Sequence, residues 1–136
     1  MISAYCQQIF DQTAFMQTLG AKLLKAHAGE CEIEAPLTPA LTQHHGYAHA
    51  GVQAALGDHA CGVATATLLN PAQTPLSIEF KINLLRPATG DAILAKAKVL
   101  KCGKTIAVVD CDVFAVTAGK AVHTAKMTAT IAIVSA

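Results

Sequence analysis

The chain has 136 residues, of which 53% are hydrophobic and 14% are charged, and its formal net charge is +1. This length fits a single domain, residues 1–136, with a hydrophobic core of its own. A charge near zero without a basic cluster excludes the electrostatic footprint of a nucleic-acid-binding protein. The longest uncharged segment contains Pro71 and Pro75, so it does not fit a bilayer-spanning helix. The hydrophobic excess therefore predicts burial between subunits rather than contact with a membrane.

The cysteines and the N-terminus indicate the compartment. The five cysteines are odd in number and none follows a C-x-x-C spacing, which favours reduced thiols over a disulfide framework. The first residues contain no basic segment ahead of an apolar run, so no secretory signal is predicted. Both observations predict a cytoplasmic protein.

Three short elements are predicted at the N-terminal end. The spacing of apolar residues over residues 4–18 predicts one short amphipathic helix, which Gly20 ends. Residues 21–26 and 30–35 are predicted to be two extended segments joined by a tight connection. In the second of them apolar side chains alternate with three glutamates, as in a half-buried strand.

Residues 42–69 form the stretch around which the chain is organised. After a start rich in His and Gly, its apolar residues recur at helical spacing, which predicts a helix of roughly five turns. The helix is apolar on nearly all sides and should therefore be buried. It nevertheless carries an acid, Asp58, in its middle. Burying a carboxylate without partners costs several kcal/mol, so a functional reason is expected.

Four strands are predicted after Pro75, separated by short turns: residues 77–84, 93–99, 105–117 and 121–134. Alternation in the first predicts an apolar face and a polar face: Ile78, Phe80, Ile82 and Leu84 against Ser77, Glu79, Lys81 and Asn83. Short connections imply antiparallel hairpins. Such a sheet must cover an apolar element, and the central helix is the long one available. The predicted fold is α+β, with a curved antiparallel sheet wrapped around one central helix.

The stretch at residues 43–62 carries a recognisable motif: Gln43-His44-His45-Gly46, His49-Ala50-Gly51, Asp58 and Gly62. It resembles that of hotdog-fold acyl-CoA thioesterases of the phenylacetate-pathway (PaaI-like) type, in which an acid also follows the His by nine residues. The resemblance extends over about residues 15–133 and includes Arg86-Pro87 at the end of a strand and Gly103-Lys104-Thr105 in a later hairpin. The chain departs from it with Ala50 for the first Gly of His-Gly-Gly, Gln43 for an Asn, and His59 after the acid.

The resemblance implies roles for the two central residues. Gly51 lies in the first turn of the predicted helix, where free N–H groups and the helix dipole favour negative charge, so its N–H would form an oxyanion hole. Asp58 would be the general base or the nucleophile of thioester hydrolysis. For each residue a purely structural role, in helix packing or in a buried polar pair, is the alternative.

Further residues have expected roles in the same site. Gln43, His49 and Ser77 are candidates for assisting catalysis. Candidates for binding the acyl-CoA substrate are His45, Gly46, Ala50, Arg86, Lys104 and Thr105. Coenzyme A is part of this substrate, and no separate cofactor is expected.

A metal site is the first alternative to consider, because five potential ligands occur close together: His44, His45, His49, Asp58 and His59. However, Gly46 interrupts any helix that contains both His45 and His49, and His59 projects about 100° away from Asp58. No metal is therefore expected. An acyl-thioester dehydratase or hydratase on the same fold, or a non-catalytic acyl-CoA-binding module, remain open alternatives.

The spacing of Gly51 and Asp58 predicts how the site is assembled. Seven helical residues separate them, which places them on one face but about 10.5 Å apart along the axis. Hydrogen-bond reach is about 3 Å. Two antiparallel copies of the helix across a two-fold axis would bring Gly51 of one subunit to Asp58 of the other. We therefore expect a homodimer with two equivalent sites, and a dimer of dimers remains open.

Overall fold

The computed structural model describes residues 1–136 and confirms the predicted α+β hotdog architecture. A six-stranded antiparallel sheet curves around one long helix, α3. In chain order the elements are α1 Ala4–Gln12, α2 Ala14–Thr18, β1 Lys22–His27, β2 Glu30–Pro36, a 3-10 turn Pro39–Leu41, α3 Ala50–Ala66, β3 Gln73–Leu84, β4 Ala92–Cys102, β5 Ile106–Thr117 and β6 Lys120–Ser135.

The strand order is β1-β2-β4-β5-β6-β3, and every neighbouring pair is antiparallel. Helix α3 lies between β2 and β3 in the chain, so it crosses the concave face of the sheet on the way from one side to the other. The core lies between them, where the inner-face side chains of β2, β4, β5 and β6 are buried together with α3. The close approach is visible at Gly57, where an added Cβ would lie 3.0 Å from the Met127 methyl group.

The N-terminal segment differs from the single helix predicted over residues 4–18. The backbone is extended at Thr13, which separates α1 from α2. The Thr13 hydroxyl donates to the Ile9 carbonyl at 2.7 Å, so a side chain satisfies a backbone acceptor that a continuing helix would use. Gly20 follows α2 with φ +69°, in agreement with its predicted role as the end of this segment.

Strand β3 differs from the predicted alternation because it contains a β-bulge. Its register with β6 shifts between Ser77 and Glu79, which leaves Ile78 as the extra residue. Ser77 therefore pairs with buried Ile131 on the inner face, whereas Glu79 pairs with Thr130 on the outer face. The prediction that Ser77 and Glu79 share a face was wrong, and Ser77 faces the central helix.

The two edges of the sheet have different surfaces. Strand β1 is 6 residues long, contains a register shift and carries Lys22 and Lys25, features that protect an edge from pairing. Strand β3 is 12 residues long and exposes large apolar side chains, including Leu76 at 57% and Ile78 at 56%. Such an edge is a template for pairing with another strand.

The outer face of the sheet is covered by rows of opposite charge that run across the strands. In one row Glu32 pairs with Lys96, and Lys96 pairs with Asp112. Asp112 accepts from Lys126 at 3.1 Å. Each exposed pair contributes little to stability, but together they keep this face hydrated.

None of the helices has the length and apolar character required to cross a membrane.

Candidate functional site

The N-terminus of α3 is capped by a histidine. His49 is the N-cap residue, and its Nδ1 accepts the Gly51 N–H at 2.9 Å. A Cβ at Gly51 would lie 3.0 Å from this nitrogen, so the ring approaches closely because residue 51 has no side chain. Since Nδ1 is the acceptor, a neutral His49 carries its proton on Nε2 and presents a second donor at the helix end.

The loop before α3 is held by Gln43. Its Oε1 accepts the His45 N–H at 2.5 Å and the Tyr47 N–H at 3.3 Å, so the carboxamide oxygen organises the loop. Gly46 has φ +83° and thereby closes the turn inside this segment. The His44 and His45 rings stack with centroids 4.0 Å apart. No group of three or more potential metal-ligating side chains occurs in the structure.

A cavity of about 530 Å³ opens between this loop, the start of α3 and the end of β3. It brings together four residues predicted for the site: Gln43, His49, Ala50 and Arg86. Arg86 is held by donating from Nη1 to the His123 carbonyl at 2.9 Å, which leaves its other donors free. His45 and Gly46 belong to the same loop but do not line the cavity.

A second cavity, of about 370 Å³, lies on the other side of the α3 N-terminus. His49 and Gly51 form part of its wall, and the remainder is mainly apolar, with Phe15, Leu41 and Val52 among its residues. The Gly51 N–H thus lies beside an apolar space between α2, the 3-10 turn and α3.

Asp58 and Ser77 meet two helical turns further along α3. The Ser77 hydroxyl donates to Asp58 Oδ1 at 2.6 Å, which the bulge at Ile78 makes possible. A cavity of about 310 Å³ adjoins the pair. Its wall also includes Ile9 and Gly62, so it lies between α1, α3 and β3. One carboxylate oxygen is thus fixed by a hydroxyl beside a space that a substrate can enter.

His59, next to the acid, is packed rather than exposed. Its ring lies against Phe10 with centroids 5.8 Å apart, and its Nε2 is buried without a hydrogen-bond partner. Burial lowers the pKa of His59 below its usual value because the charged form loses hydration, and the charge of Asp58 opposes this only in part. The imidazole is therefore neutral near pH 7.

The predicted site residues form two groups within one chain. The cavity at the His49 end and the cavity at the Asp58 end share no residue. Along β3, Ser77 and Leu84 are about 23 Å apart at the rise of a strand. Lys104 and Thr105 lie in the β4–β5 turn, where the Thr105 carbonyl accepts from Ile133, the partner of Pro75 in the sheet. This turn is therefore at the Asp58 end, and Arg86 is at the other.

Gln53 was not among the predicted site residues. It lines the 530 Å³ cavity, and its Oε1 accepts from the buried Thr124 hydroxyl at 2.8 Å. The sequence does contain an indication of its role, because Gln53 is a polar residue one turn into a helix whose neighbouring positions are apolar. The prediction of a helix that is apolar on nearly all sides did not single out this residue.

Comparison with known proteins places this geometry in a family. The model of the Thioesterase superfamily matches residues 45–122, more than half of the chain, and the chain belongs to that family. The crystal structure of a thioesterase family protein from Silicibacter pomeroyi superposes with a TM-score of 0.94 and 35% identity, covering 97% of each chain. The protein is thus a thioester hydrolase with the hotdog fold.

Two further relatives refine the class. The phenylacetic acid degradation protein PaaI of Thermus thermophilus, solved as a variant, superposes with a TM-score of 0.75 and 26% identity over 88% of this chain and 97% of that one. A 1,4-dihydroxy-2-naphthoyl-CoA hydrolase of Listeria monocytogenes is 25% identical over 89 residues, 65% of this chain and 72% of the relative. The resemblance to PaaI-like thioesterases is confirmed.

Proposed function

We propose that the enzyme hydrolyses acyl-coenzyme A thioesters to a free acid and coenzyme A, with Asp58 as general base or nucleophile. The observation that carries this proposal is the hydrogen bond from Ser77 to Asp58 Oδ1 at 2.6 Å beside an open cavity. A coenzyme A thioester is the substrate named for the Listeria relative, which supports the same class here.

The Ser77 contact defines what Asp58 can do. With Oδ1 bound, Oδ2 is the oxygen free to take a proton from water as that water attacks the thioester carbonyl carbon. The C–S bond then breaks, and the coenzyme A thiolate receives the proton. In the nucleophilic variant the carboxylate itself attacks, and water subsequently cleaves the resulting anhydride.

The N-terminus of α3, two turns before Asp58, would stabilise the negative charge on the carbonyl oxygen. The Gly51 N–H points to His49 Nδ1 in the free chain, so the substrate oxygen would replace this nitrogen as acceptor. The helix dipole adds positive potential at the same point. The Nε2–H of His49 is a second donor within reach of either adjoining cavity.

A homodimer would unite the two ends. Two copies related by a two-fold axis can pair antiparallel through their β3 edges, because the apolar side chains there lack a partner. The Leu84 end of one strand would then lie beside the Ser77 end of the other. This would bring the His49–Gly51 group of one subunit to Asp58 of its partner, with Arg86 approaching the partner's β4–β5 turn. The charged outer face supports a dimer rather than a dimer of dimers.

A reducing location such as the cytoplasm is part of the same proposal. All five cysteines are unpaired, and four of them are buried. Burial raises the pKa of the Cys31 thiol, and the neighbouring Cys111 side chain together with burial raises the pKa of the Cys61 thiol, which keeps both protonated and unreactive.

Release of free thiol from a panel of acyl-CoAs tests the function. A thiol-reactive dye should report turnover with little background, because Cys102 is the one cysteine that is not fully buried. Thiol release that disappears in folded Asp58→Asn would support the proposal. Binding of acyl-CoA without release would instead support the binding module, and loss of the 2-enoyl-CoA double bond would support a hydratase.

Subunit mixing tests whether each site is shared. Neither Asp58→Asn nor Gly51→Val should be active alone, since a Cβ at residue 51 displaces the His49 ring. When the two variants are unfolded and refolded together, about half of the dimers are mixed, and each has one intact site if the site is shared. About a quarter of the wild-type activity should return. A site built within one chain would recover nothing.

A further inference from the structure

The side chain of Gln53 is fixed in an unusual position within α3. It is 3% exposed, and its Oε1 accepts from the Thr124 hydroxyl at 2.8 Å. Thr124 is completely buried, and its hydroxyl also lies 3.2 Å from the Val113 carbonyl. The contact with Gln53 is the shorter of the two. With the carboxamide oxygen directed at Thr124, Nε2 faces away from the sheet.

The Gln53 Nε2 has no hydrogen-bond partner in the protein, although the residue is almost wholly buried. It is not enclosed, because Gln53 lines the 530 Å³ cavity at the start of α3. The buried side-chain nitrogen atoms that lack a hydrogen-bond partner are His59 Nε2 and His123 Nε2, so the Gln53 Nε2 is open to the cavity rather than unsatisfied in the core. Its neighbours Val52 and Leu56, on the buried side of the helix, are apolar, so Gln53 places a single polar donor at this point of the cavity wall.

We infer that Gln53 is a substrate-binding residue whose Nε2 donates a hydrogen bond to an oxygen atom of the bound thioester, and that Thr124 is its positioning residue. This inference rests on the proposed acyl-CoA hydrolysis. The partner is an acceptor oxygen, because a carboxamide nitrogen donates and does not accept. Besides the phosphates and the reacting thioester carbonyl, two parts of an acyl-CoA supply such an atom: a carbonyl or the hydroxyl of the pantetheine arm and an oxygen substituent on the acyl group.

The surroundings of Gln53 support a polar arm of the substrate. The same cavity contains Arg86, whose remaining donors suit a phosphate, and His49 at the capped helix end. A chain extending from Arg86 towards the helix N-terminus would pass over the Gln53 amide. Gln53 would thus hold the substrate in register between its anionic end and the reacting carbonyl.

Steady-state kinetics of Gln53→Met test the inference. Methionine matches the length of glutamine but lacks the donor. With the protein folded, KM should rise about tenfold while kcat changes less, because the hydrogen bond acts on substrate and transition state alike. Thr124→Val frees the amide to rotate and should raise KM about threefold. Thr124→Ser keeps the hydroxyl and should have a KM close to that of wild type. Thr130→Val is the matched control, since that hydroxyl donates to Glu79 on the outer face.

The substrate panel separates the two sources of the oxygen. The panel contains plain acyl-CoAs and the 3-hydroxy- and 3-oxoacyl-CoAs of equal chain length. A KM that rises equally for all three classes identifies the pantetheine arm. A rise confined to the oxygenated acyl groups identifies the acyl substituent. An unchanged KM for every substrate in folded Gln53→Met overturns the inference. Should that variant fail to fold, the KM values of Thr124→Val and Thr124→Ser decide instead. Equal KM values for these two variants and wild type overturn the inference.

Failure of the proposed function gives a different result. If the wild-type protein hydrolyses none of these thioesters, binding of coenzyme A, decanoyl-CoA and 3-hydroxydecanoyl-CoA is measured by calorimetry for wild type and Gln53→Met. Affinity for any of the three that falls about tenfold in the variant keeps Gln53 as a ligand-binding residue and rejects only the hydrolysis. Equal affinity for all three, or the absence of binding to wild type, overturns the inference as well.

Discussion

The N-terminus and the middle of α3 present opposite chemistry. At the N-terminus, Gly51, His49 and Gln53 offer hydrogen-bond donors next to a guanidinium. At the middle of the helix, Asp58 offers a carboxylate that is oriented by a hydroxyl. Hydrolysis of a thioester needs donors for the carbonyl oxygen and a proton acceptor for water. One helix separates these requirements by about two turns, and the proposed homodimer would bring them together by pairing two helices.

Among the variants that test this comparison, the one that removes the proton acceptor should cause the largest loss of activity. Asp58→Asn should lower kcat about 10³-fold, because the amide cannot take a proton from water or attack a carbonyl. The protein should remain folded, since the Asn oxygen can still accept from Ser77. Steady-state thiol release and a thermal melt measure the two quantities. Asp11→Asn, at an exposed position of α1, serves as the matched control. Retention of a tenth of the activity in Asp58→Asn would reject the role of the acid.

Separation of the two helices should have the next largest effect. Phe80 is 41% exposed on the β3 edge, and Phe80→Asp places a charge where a second copy would pack. We expect dissociation to monomers and at least a tenfold loss of activity that recovers at higher protein concentration. Analytical ultracentrifugation alongside the assay measures both. Leu24→Asp makes the same change on the β1 edge, and equal dissociation of that variant would reject the β3 interface.

Loss of the hydroxyl that orients the acid should have a moderate effect. Ser77→Ala removes the 2.6 Å hydrogen bond to Asp58 and should lower kcat about tenfold, the range for a bond to a charged group. The variant is also made in the Asp58→Asn background. If Ser77 acts through the acid, the second substitution costs nothing further there. Additive losses in the double variant would show that Ser77 has a separate role.

The smallest effect concerns stability at the Asp58 end. Burial lowers the folded-state pKa of His59, so the unfolded chain binds a proton more readily as pH falls below about 6.5. The contribution of neutral His59 is complete above that pH and is lost as pH falls towards the folded-state pKa. Urea unfolding between pH 5 and 8 should therefore show a steeper loss for wild type than for His59→Phe. Parallel curves would contradict this, and exposed His27→Phe is the control.

Most of the fold could be predicted because its patterns are local. Alternation over residues 30–35 and 93–99 identified strands whose inner side chains are buried. The break at Thr13 was missed because it depends on one side-chain hydrogen bond to Ile9 rather than on periodicity. The inward direction of Ser77 was also missed, since alternation in a sequence does not reveal where a strand gains an extra residue.

The sequence predicted those residues of the candidate site that lie in one motif, but not the features of the site that depend on the fold. The motif from Gln43 to Asp58 follows one continuous stretch, so its residues could be named together. Gln53 could not be recognised in the same way, because its partner Thr124 is 71 positions away in the chain. Likewise, the separation of Arg86 from Lys104 depends on the order of strands in the sheet and not on their spacing in the sequence.

The bulge at Ile78 has a consequence for how such an enzyme can change over generations. A single inserted residue reverses the facing of the segment Gln73–Ser77 relative to the rest of β3 and thereby turns Ser77 towards Asp58. Loss of one codon would reverse the rotation and leave the acid without its hydroxyl. In this strand an insertion or deletion is the mutation that can gain or remove the contact between residue 77 and Asp58 by turning a whole segment over.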